Sequence, residues 1–164
     1  MKRRILMMVL AILLVASMML APMSASAASK KTVQILKVTV EGARLRKGPS
    51  SSYDIITSLK NGAKVFYLGT EKDHFYKVRT DHGVTGYIFR DYLKSYGACY
   101  RDQVYYATKR AKVYKKPSVR SSGKTKLSKG QHVIVYQVQG SWAYIKTLGG
   151  TGGYVKKSLL KKAG

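Results

Sequence analysis

Apolar residues follow two patterns along this chain. From Ile5 to Leu20 they run almost unbroken, and beyond residue 30 they recur in short alternating runs. Val33, Ile35, Val38 and Val40 alternate with polar residues, with one slip at Leu36. A period of two marks a strand with one buried face. Val65–Leu68, Phe75–Thr80 and Gly86–Ile88 continue the series, and Ile56 and Leu59 lead into a turn. Turn chemistry separates the runs at Gly48–Ser52, Lys60-Asn61-Gly62, Glu71–His74 and Asp81-His82-Gly83. The Asn-Gly pair supplies the positive φ angles that a tight turn needs. No segment carries the 3.6-residue period of an amphipathic helix, so the pattern predicts an all-β protein of short strands, in the manner of a small barrel.

The pattern occurs twice. Pro49, Leu59, Gly62 and Val65 match Pro117, Leu127, Gly130 and Val133 at a shift of 68 residues, and Thr80, Gly86, Tyr87 and Leu93 match Thr147, Gly153, Tyr154 and Leu160 at a shift of 67. A repeat of this length is one folding unit used twice. Each unit has about 55–60 residues, a size that folds alone with modest margin. The expected core is Leu45, Leu59, Val65, Val78 and Ile88 in the first unit. In the second it is Leu127, Val133, Val135, Ile145 and Val155.

The first apolar run has a different meaning. It follows Lys2-Arg3-Arg4 and ends at Ala21-Pro22, before Ala25-Ser26-Ala27-Ala28. A basic start, an apolar stretch and a small-residue Ala-x-Ala site make a secretory signal peptide, residues 1–27. The run is shorter than the roughly 20 residues that span a bilayer, so stable membrane insertion is not expected. The chain is read as secreted. Its single Cys99 can form no internal disulfide, and stability must come from packing.

The motifs of the first unit identify a family. Leu45-Arg46-Lys47-Gly48-Pro49-Ser50-Ser51-Ser52-Tyr53, followed by Leu59-Lys60-Asn61-Gly62 and Gly86-Tyr87-Ile88, resembles the bacterial SH3-like (SH3b) domain. The family shows a Leu-Asn-x-Arg-x-Gly-Pro-Ser opening, a Leu-x-x-Gly turn, a Trp-x-x-Val strand and a closing Gly-Tyr-Val. Phe75 stands where Trp is usual. The second unit has Trp142 and Gly153-Tyr154-Val155, but its opening, Lys112-Val113-Tyr114-Lys115-Lys116-Pro117-Ser118, lacks the Arg and the Gly before Pro. The resemblance implies two small SH3-like β-barrels in tandem: domain 1 at 31–95, a linker at 96–103 and domain 2 at 104–162. It also implies a place at the cell wall, with peptidoglycan or teichoic-acid-type wall polymers as partners. Docking to an exported wall hydrolase, and descent from such a hydrolase, are the alternatives.

Little of the chain is left over for a catalytic domain. The wall peptidases that accompany such domains use a Cys-His pair on a domain of their own. Cys99 lies in the expected linker as an exposed free thiol, away from His74, His82 and His132. A nucleophile needs a base within hydrogen-bond reach and a third group to orient it. No enzyme is expected. Asp73-His74 and Asp81-His82 sit in successive hairpin loops at opposite ends of a strand. They are not expected to converge as the four ligands of a closed zinc site, and no metal or other cofactor is expected.

Charge sharpens the reading of the second unit. The whole chain carries a net charge of +24. Residues 28–99 contribute +7, whereas residues 100–164 hold 15 Lys and Arg against the single acid Asp102, a net of +14. A surface this basic attracts polyanions. Export argues against nucleic acid and for wall polymers, with Lys109, Arg110, Lys112, Lys115, Lys116, Arg120 and Lys124 as the expected contact. A ligand groove needs aromatic walls with a few placed polar groups. Tyr53, Phe75, Tyr92, Tyr114 and Trp142 are the candidate walls, and Arg46 of the opening motif joins them.

Overall fold

The structure, a computed structural model, describes residues 31–164. The expected signal peptide lies outside the described residues. The fold is all-β, as expected. Strands β1 (Thr32–Val38), β2 (Ala43–Arg46), β3 (Ile55–Leu59), β4 (Lys64–Lys72), β5 (Phe75–Thr80), β6 (Thr85–Phe89) and β7 (Leu93–Tyr100) form one sheet. Strands β8 (Val104–Ala107), β9 (Ala111–Tyr114), β10 (Gly123–Leu127), β11 (His132–Gln139), β12 (Trp142–Thr147), β13 (Gly152–Lys156) and β14 (Leu160–Lys162) form the other. The strand orders are β3-β2-β6-β5-β4-β1-β7 and β10-β9-β13-β12-β11-β8-β14, which are the same order seven strands apart. The sequence repeat is therefore a repeat of topology. Among the described residues, no helix is long and apolar enough to cross a membrane.

Each sheet wraps one core. Leu36, Val38, Ala43, Leu45, Val65, Val78, Ile88 and Leu93 form a single cluster, drawn from six of the seven strands of the first sheet. Seven strands laid flat would span about 29 Å at their usual spacing. One shared cluster requires the sheet to coil around it. The second core collects Ala107, Ala111, Val113, Leu127, Val133, Val135, Ala143, Ile145 and Val155 in the same way. The expected core residues are all there except Leu59, which is only partly buried at the margin of the first cluster. The glycine of the Gly-Tyr motif permits the coiling. A Cβ on Gly86 would sit 2.7 Å from the Arg46 carbonyl oxygen, and one on Gly153 2.6 Å from that of Tyr114. Only glycine lets β6 approach β2, and β13 approach β9, so closely.

The turns follow their residue chemistry with one difference. Glu71 and Lys72 belong to β4, not to a loop, and the β4–β5 hairpin turns on Asp73 and His74 alone. Both adopt positive φ, at 50° and 64°. Asp and His are among the non-glycine residues that tolerate this region, and a two-residue turn of this hand matches the twist of its strands.

The main departure from expectation lies between the repeats. Residues 96–100, expected within a linker, continue β7, and 97–100 pair with Thr32–Ile35 of β1. Arg101–Gln103 make a single 3-10 turn that leads directly into β8. Cys99, expected to be exposed, is 8% accessible. It belongs to a third apolar cluster with Ile35, Phe66, Val104, Ile134, Leu148 and Ala163, which draws on both sheets. Ile35 pairs with Phe66 in the first sheet as Val104 pairs with Ile134 in the second. The two repeats thus meet through the same face of each, in a pseudo-twofold arrangement. This explains the slip at Leu36. Leu36 and Val38 face the first core, while Val33 and Ile35 face the second repeat. A strand covered on both sides is apolar on both sides.

Polar contacts fix the same junction. The His132 amide donates to the Asp81 carbonyl across it at 2.6 Å. The His132 ring is buried, its Nδ1 lies 3.0 Å from the Gly130 carbonyl, and the Phe66 and Tyr106 rings flank it at 6.2 and 5.8 Å. Burial, helped by the charge of Arg79, holds its pKa below the ordinary imidazole value, against the opposing pull of the Gly130 carbonyl and Asp81.

Two predictions follow from the junction. Phe66→Ala should cost about 3–5 kcal/mol, as for other fully buried aromatic residues. It should also resolve one calorimetric melting transition into two, whereas a single transition at the original temperature would show the repeats to be uncoupled already. His132 is harder to protonate folded than unfolded, so its contribution to stability is complete above pH 6.5 and is lost as pH falls through the depressed folded value. The melting temperature should drop between pH 7.5 and 5, and His132→Gln should flatten that drop.

Candidate functional site

The β5–β6 ladder sets the aromatic wall of a groove on the first repeat. Phe75 and Phe89 are cross-strand partners at one end of that ladder. Their rings meet edge to face at 5.5 Å and 68°, and Phe89 meets Tyr92 in the same manner at 5.3 Å and 66°. Tyr92 lies on the 3-10 turn Arg90–Tyr92 that follows β6. Three rings in series thus run from a buried Phe75, at 9% accessibility, to an exposed Tyr92, at 40%. Edge-to-face contacts hold each ring by its neighbour.

Charged groups complete the groove. Val40, Glu41, Gly42, Ala43, Arg44, Arg46 and Ser51 line it with the rings, around a volume of about 640 Å³. That lies within the usual range of small-molecule sites, roughly 300–1,000 Å³. Arg46 is fixed, since its Nη1 donates to the Tyr53 carbonyl at 2.8 Å. The Tyr53 ring lies over Gly48, where a Cβ would come within 2.6 Å of it. The Arg-Lys-Gly-Pro opening is therefore a device in which glycine admits the tyrosine and the tyrosine carbonyl anchors the arginine. Lys47 and Asp54 pair at 2.8 Å across the base of this loop, and their hydrogen bond and opposite charges hold the Asp54 carboxyl below its ordinary value. Glu41 accepts from the Asn61 amide at 3.0 Å, which ties the groove loop to the Asn-Gly turn.

Of the candidate walls, the groove brings together Arg46, Phe75 and Tyr92. Tyr53 stands beside it as the anchor and remains exposed. Tyr114 and Trp142 hold the corresponding place in the second repeat. Tyr114 pairs with Tyr154 as Arg46 pairs with Tyr87, and Trp142 pairs with Lys156 as Phe75 pairs with Phe89. The chemistry there differs. Trp142 is buried at 8% accessibility, Tyr114 meets it edge to face at 5.5 Å, and the Lys156 ammonium sits 4.3 Å over its ring. Thr39-Val40-Glu41-Gly42 of the first repeat gives way to Thr108-Lys109-Arg110. An aromatic groove with mixed charges in one repeat is a lysine-capped tryptophan in the other.

The basic residues gather beside that tryptophan. Lys109, Arg110, Lys112, Lys115, Lys116, Arg120 and Lys124 are all exposed and occupy β9, β10 and the adjoining loops. Lys112 lies 5.2 Å from the Tyr114 ring centre, and Lys124 donates to the Gly152 carbonyl at 2.8 Å. Ser118 and Ser121 hydroxyls accept from the Arg120 and Lys116 amides and hold the 115–122 turn. Among the described residues the ion pairs all lie in the first repeat, so these ammonium groups stay uncompensated.

Sequence reasoning missed Phe89. The available signal was an aromatic residue three positions beyond the motif glycine Gly86, in cross-strand register with Phe75. The histidine ring nitrogens contact Arg90 (His74), Asp81 (His82) and the Gly130 carbonyl (His132). Burial pushes the Cys99 thiol above its ordinary pKa. A thiol pushed upward is a poor source of thiolate.

Comparisons with known proteins match one region of the chain to a family. NlpC2 and NlpC1 of Trichomonas vaginalis are similar structures at 19% and 21% identity, over 80% and 82% of this chain and 48% of each of theirs, both with a TM-score of 0.35. An NlpC/P60 family protein of Bacillus cereus is similar at 14% identity, over 77% of this chain and 55% of its own, with a TM-score of 0.34. The chain spans about half the length of these structures. Among curated proteins none matches. Residues 41–94 match the model of the bacterial SH3 domain, and this region of the chain, which holds the aromatic groove, is a bacterial SH3 domain.

Proposed function

We propose that this protein is an exported, non-catalytic binder of the bacterial cell envelope with two unlike contacts. The aromatic groove of the first repeat takes wall peptide or glycan, and the basic β9–β10 region of the second takes anionic wall polymers. The observation that carries the reading is the groove itself: three rings in series beside an anchored arginine, within a bacterial SH3 domain. Such a groove stacks on neutral surface and orients the ligand through Arg46 and Glu41. The uncompensated lysines supply a screened, long-range attraction that is independent of ligand shape. Two weak contacts on a repetitive polymer raise apparent affinity when both engage at once. A buried Cys99 thiol held above its ordinary pKa favours binding over Cys-His catalysis.

Purified cell walls test both halves. Tyr92 is exposed and outside the core, so Tyr92→Ala should weaken retention about tenfold, or about 1.4 kcal/mol, with an unchanged melting temperature. Full retention by this variant would count against the groove. The basic region should add a salt-sensitive component. Binding should fall steeply between 50 and 500 mM salt, and the triple change Lys112→Gln, Lys115→Gln, Lys116→Gln should remove most of that dependence. Retention that ignores salt in the parent protein would sink the electrostatic part alone.

A further inference from the structure

The junction of the repeats holds a cleft that neither repeat could form alone. Lys64 and Tyr96 of the first repeat face Tyr136 and Lys146 of the second around a volume of about 180 Å³, floored by Ile35 and Ile134. Two bulges build its walls. Ile35 pairs with Gly97 and Leu36 with Ser95, which leaves Tyr96 as the extra residue of β7. Val135 pairs with Ile145 and Gln137 with Tyr144, which leaves Tyr136 as the extra residue of β11. Bulges re-aim side chains and concentrate beside functional sites. Here each repeat spends one to aim a tyrosine at the same cleft, and both tyrosines stay more than half exposed, at 56% and 52%.

The electrostatics of the cleft have one sign. The Lys64 ammonium lies 4.0 Å over the Tyr96 ring, and the Lys146 ammonium lies 5.8 Å from the Tyr136 ring centre. Among the described residues no acidic side chain lines the cleft. The hydrogen bond and charge of Lys64, with Lys146 and Lys37 beyond it, hold the Tyr96 phenol below its ordinary pKa. Lysines from both repeats therefore act on one point. The volume equals about six waters at roughly 30 Å³ each, enough for the five heavy atoms of a phosphate and the first carbon of an ester. Ammonium groups on flexible stems suit a compact tetrahedral anion, whereas a planar carboxylate is better matched by an arginine fork.

The pseudo-twofold mate of this cleft has taken another course. His132 stands where the first repeat has Lys64, and Arg79 where the second has Lys146. That cavity is smaller, about 120 Å³, and the buried imidazole lines it. The interface is symmetric in origin, but only one of its two flanks is lined by lysines and by a tyrosine from each repeat.

We propose that the cleft between the repeats is a binding site for a phosphate group, formed only in the tandem, with Lys64 and Lys146 as charge partners and Tyr96 and Tyr136 as hydroxyl-bearing walls. It is separate from both the aromatic groove and the β9–β10 lysines. Amide NMR spectra of the protein titrated with inorganic phosphate or glycerol 3-phosphate, at ionic strength matched with chloride, test it. Saturable shifts centred on Tyr96 and Tyr136 are expected. Lys64→Gln with Lys146→Gln should weaken binding at least tenfold, and Lys60→Gln with Lys157→Gln, at exposed positions outside every proposed contact, less than twofold. If the first pair lowers the melting temperature, Lys146→Gln alone, at an exposed position, should still weaken binding threefold or more. Shifts that never saturate, that spread evenly over the lysine surface, or that respond equally to both pairs of changes would overturn the site. Such a failure would leave the groove reading intact, because Tyr92→Ala reports on that alone.

Discussion

Burial on two sides of the same strands is the constraint on which the rest of this molecule depends. A β-barrel of about 60 residues buries a modest fraction of its surface and folds with little to spare. Here β1, β4 and β11 pack one face into their own core and turn Ile35, Phe66 and Ile134 outward against the other repeat. That contact does more than add apolar area. It converts a connecting segment into the ordered strand β7 and a single 3-10 turn, buries Cys99 and His132, and fixes the position of each repeat against the other. The two proposed contacts would therefore sit at a fixed separation, with the ordering cost met in folding and not on binding.

The duplicated frame carries unlike chemistry at equivalent positions. Phe89 and Lys156 occupy the same cross-strand place, as do Arg46 and Tyr114. Conversion of one aromatic wall to lysine and of one acidic loop to a basic one is enough to turn a mixed-charge aromatic groove into a cationic surface. The strand order and the Gly86 and Gly153 contacts to the facing carbonyl are the same in both repeats, because they serve the coiling of the sheet. Arg46, Phe89, Tyr114 and Lys156 are all half-buried, so these exchanges alter the surface chemistry without opening a core. At the junction, Lys64 and His132 are equivalent by register and differ in environment, one half-buried and the other buried.

The strands that were legible in the chain were those with a buried face. β5 appears with its full bounds, because Phe75, Val78 and Thr80 are buried between polar neighbours. β3 and β7 left almost no trace, since nearly all their side chains are exposed and ladder hydrogen bonds hold them in place. The groove was legible in part. Arg46, Phe75 and Tyr92 come from the motif and from aromatic content, while Phe89 requires the register of β5 against β6.

The sequence by itself determined the all-β class, the twofold repeat, the two cores and the concentration of positive charge in the second half. All of these rest on local periodicity, turn chemistry or composition. Only the tertiary structure decided which apolar residues face a core and which face the partner repeat. It alone decided that Cys99 is buried, and that Tyr96 and Tyr136, forty residues apart, meet across one cleft. The reason is that adjacent apolar residues such as Val65-Phe66 and Val133-Ile134-Val135 announce two-sided burial but not what covers the second side. The covering surface comes from the other half of the chain, and no local pattern encodes it.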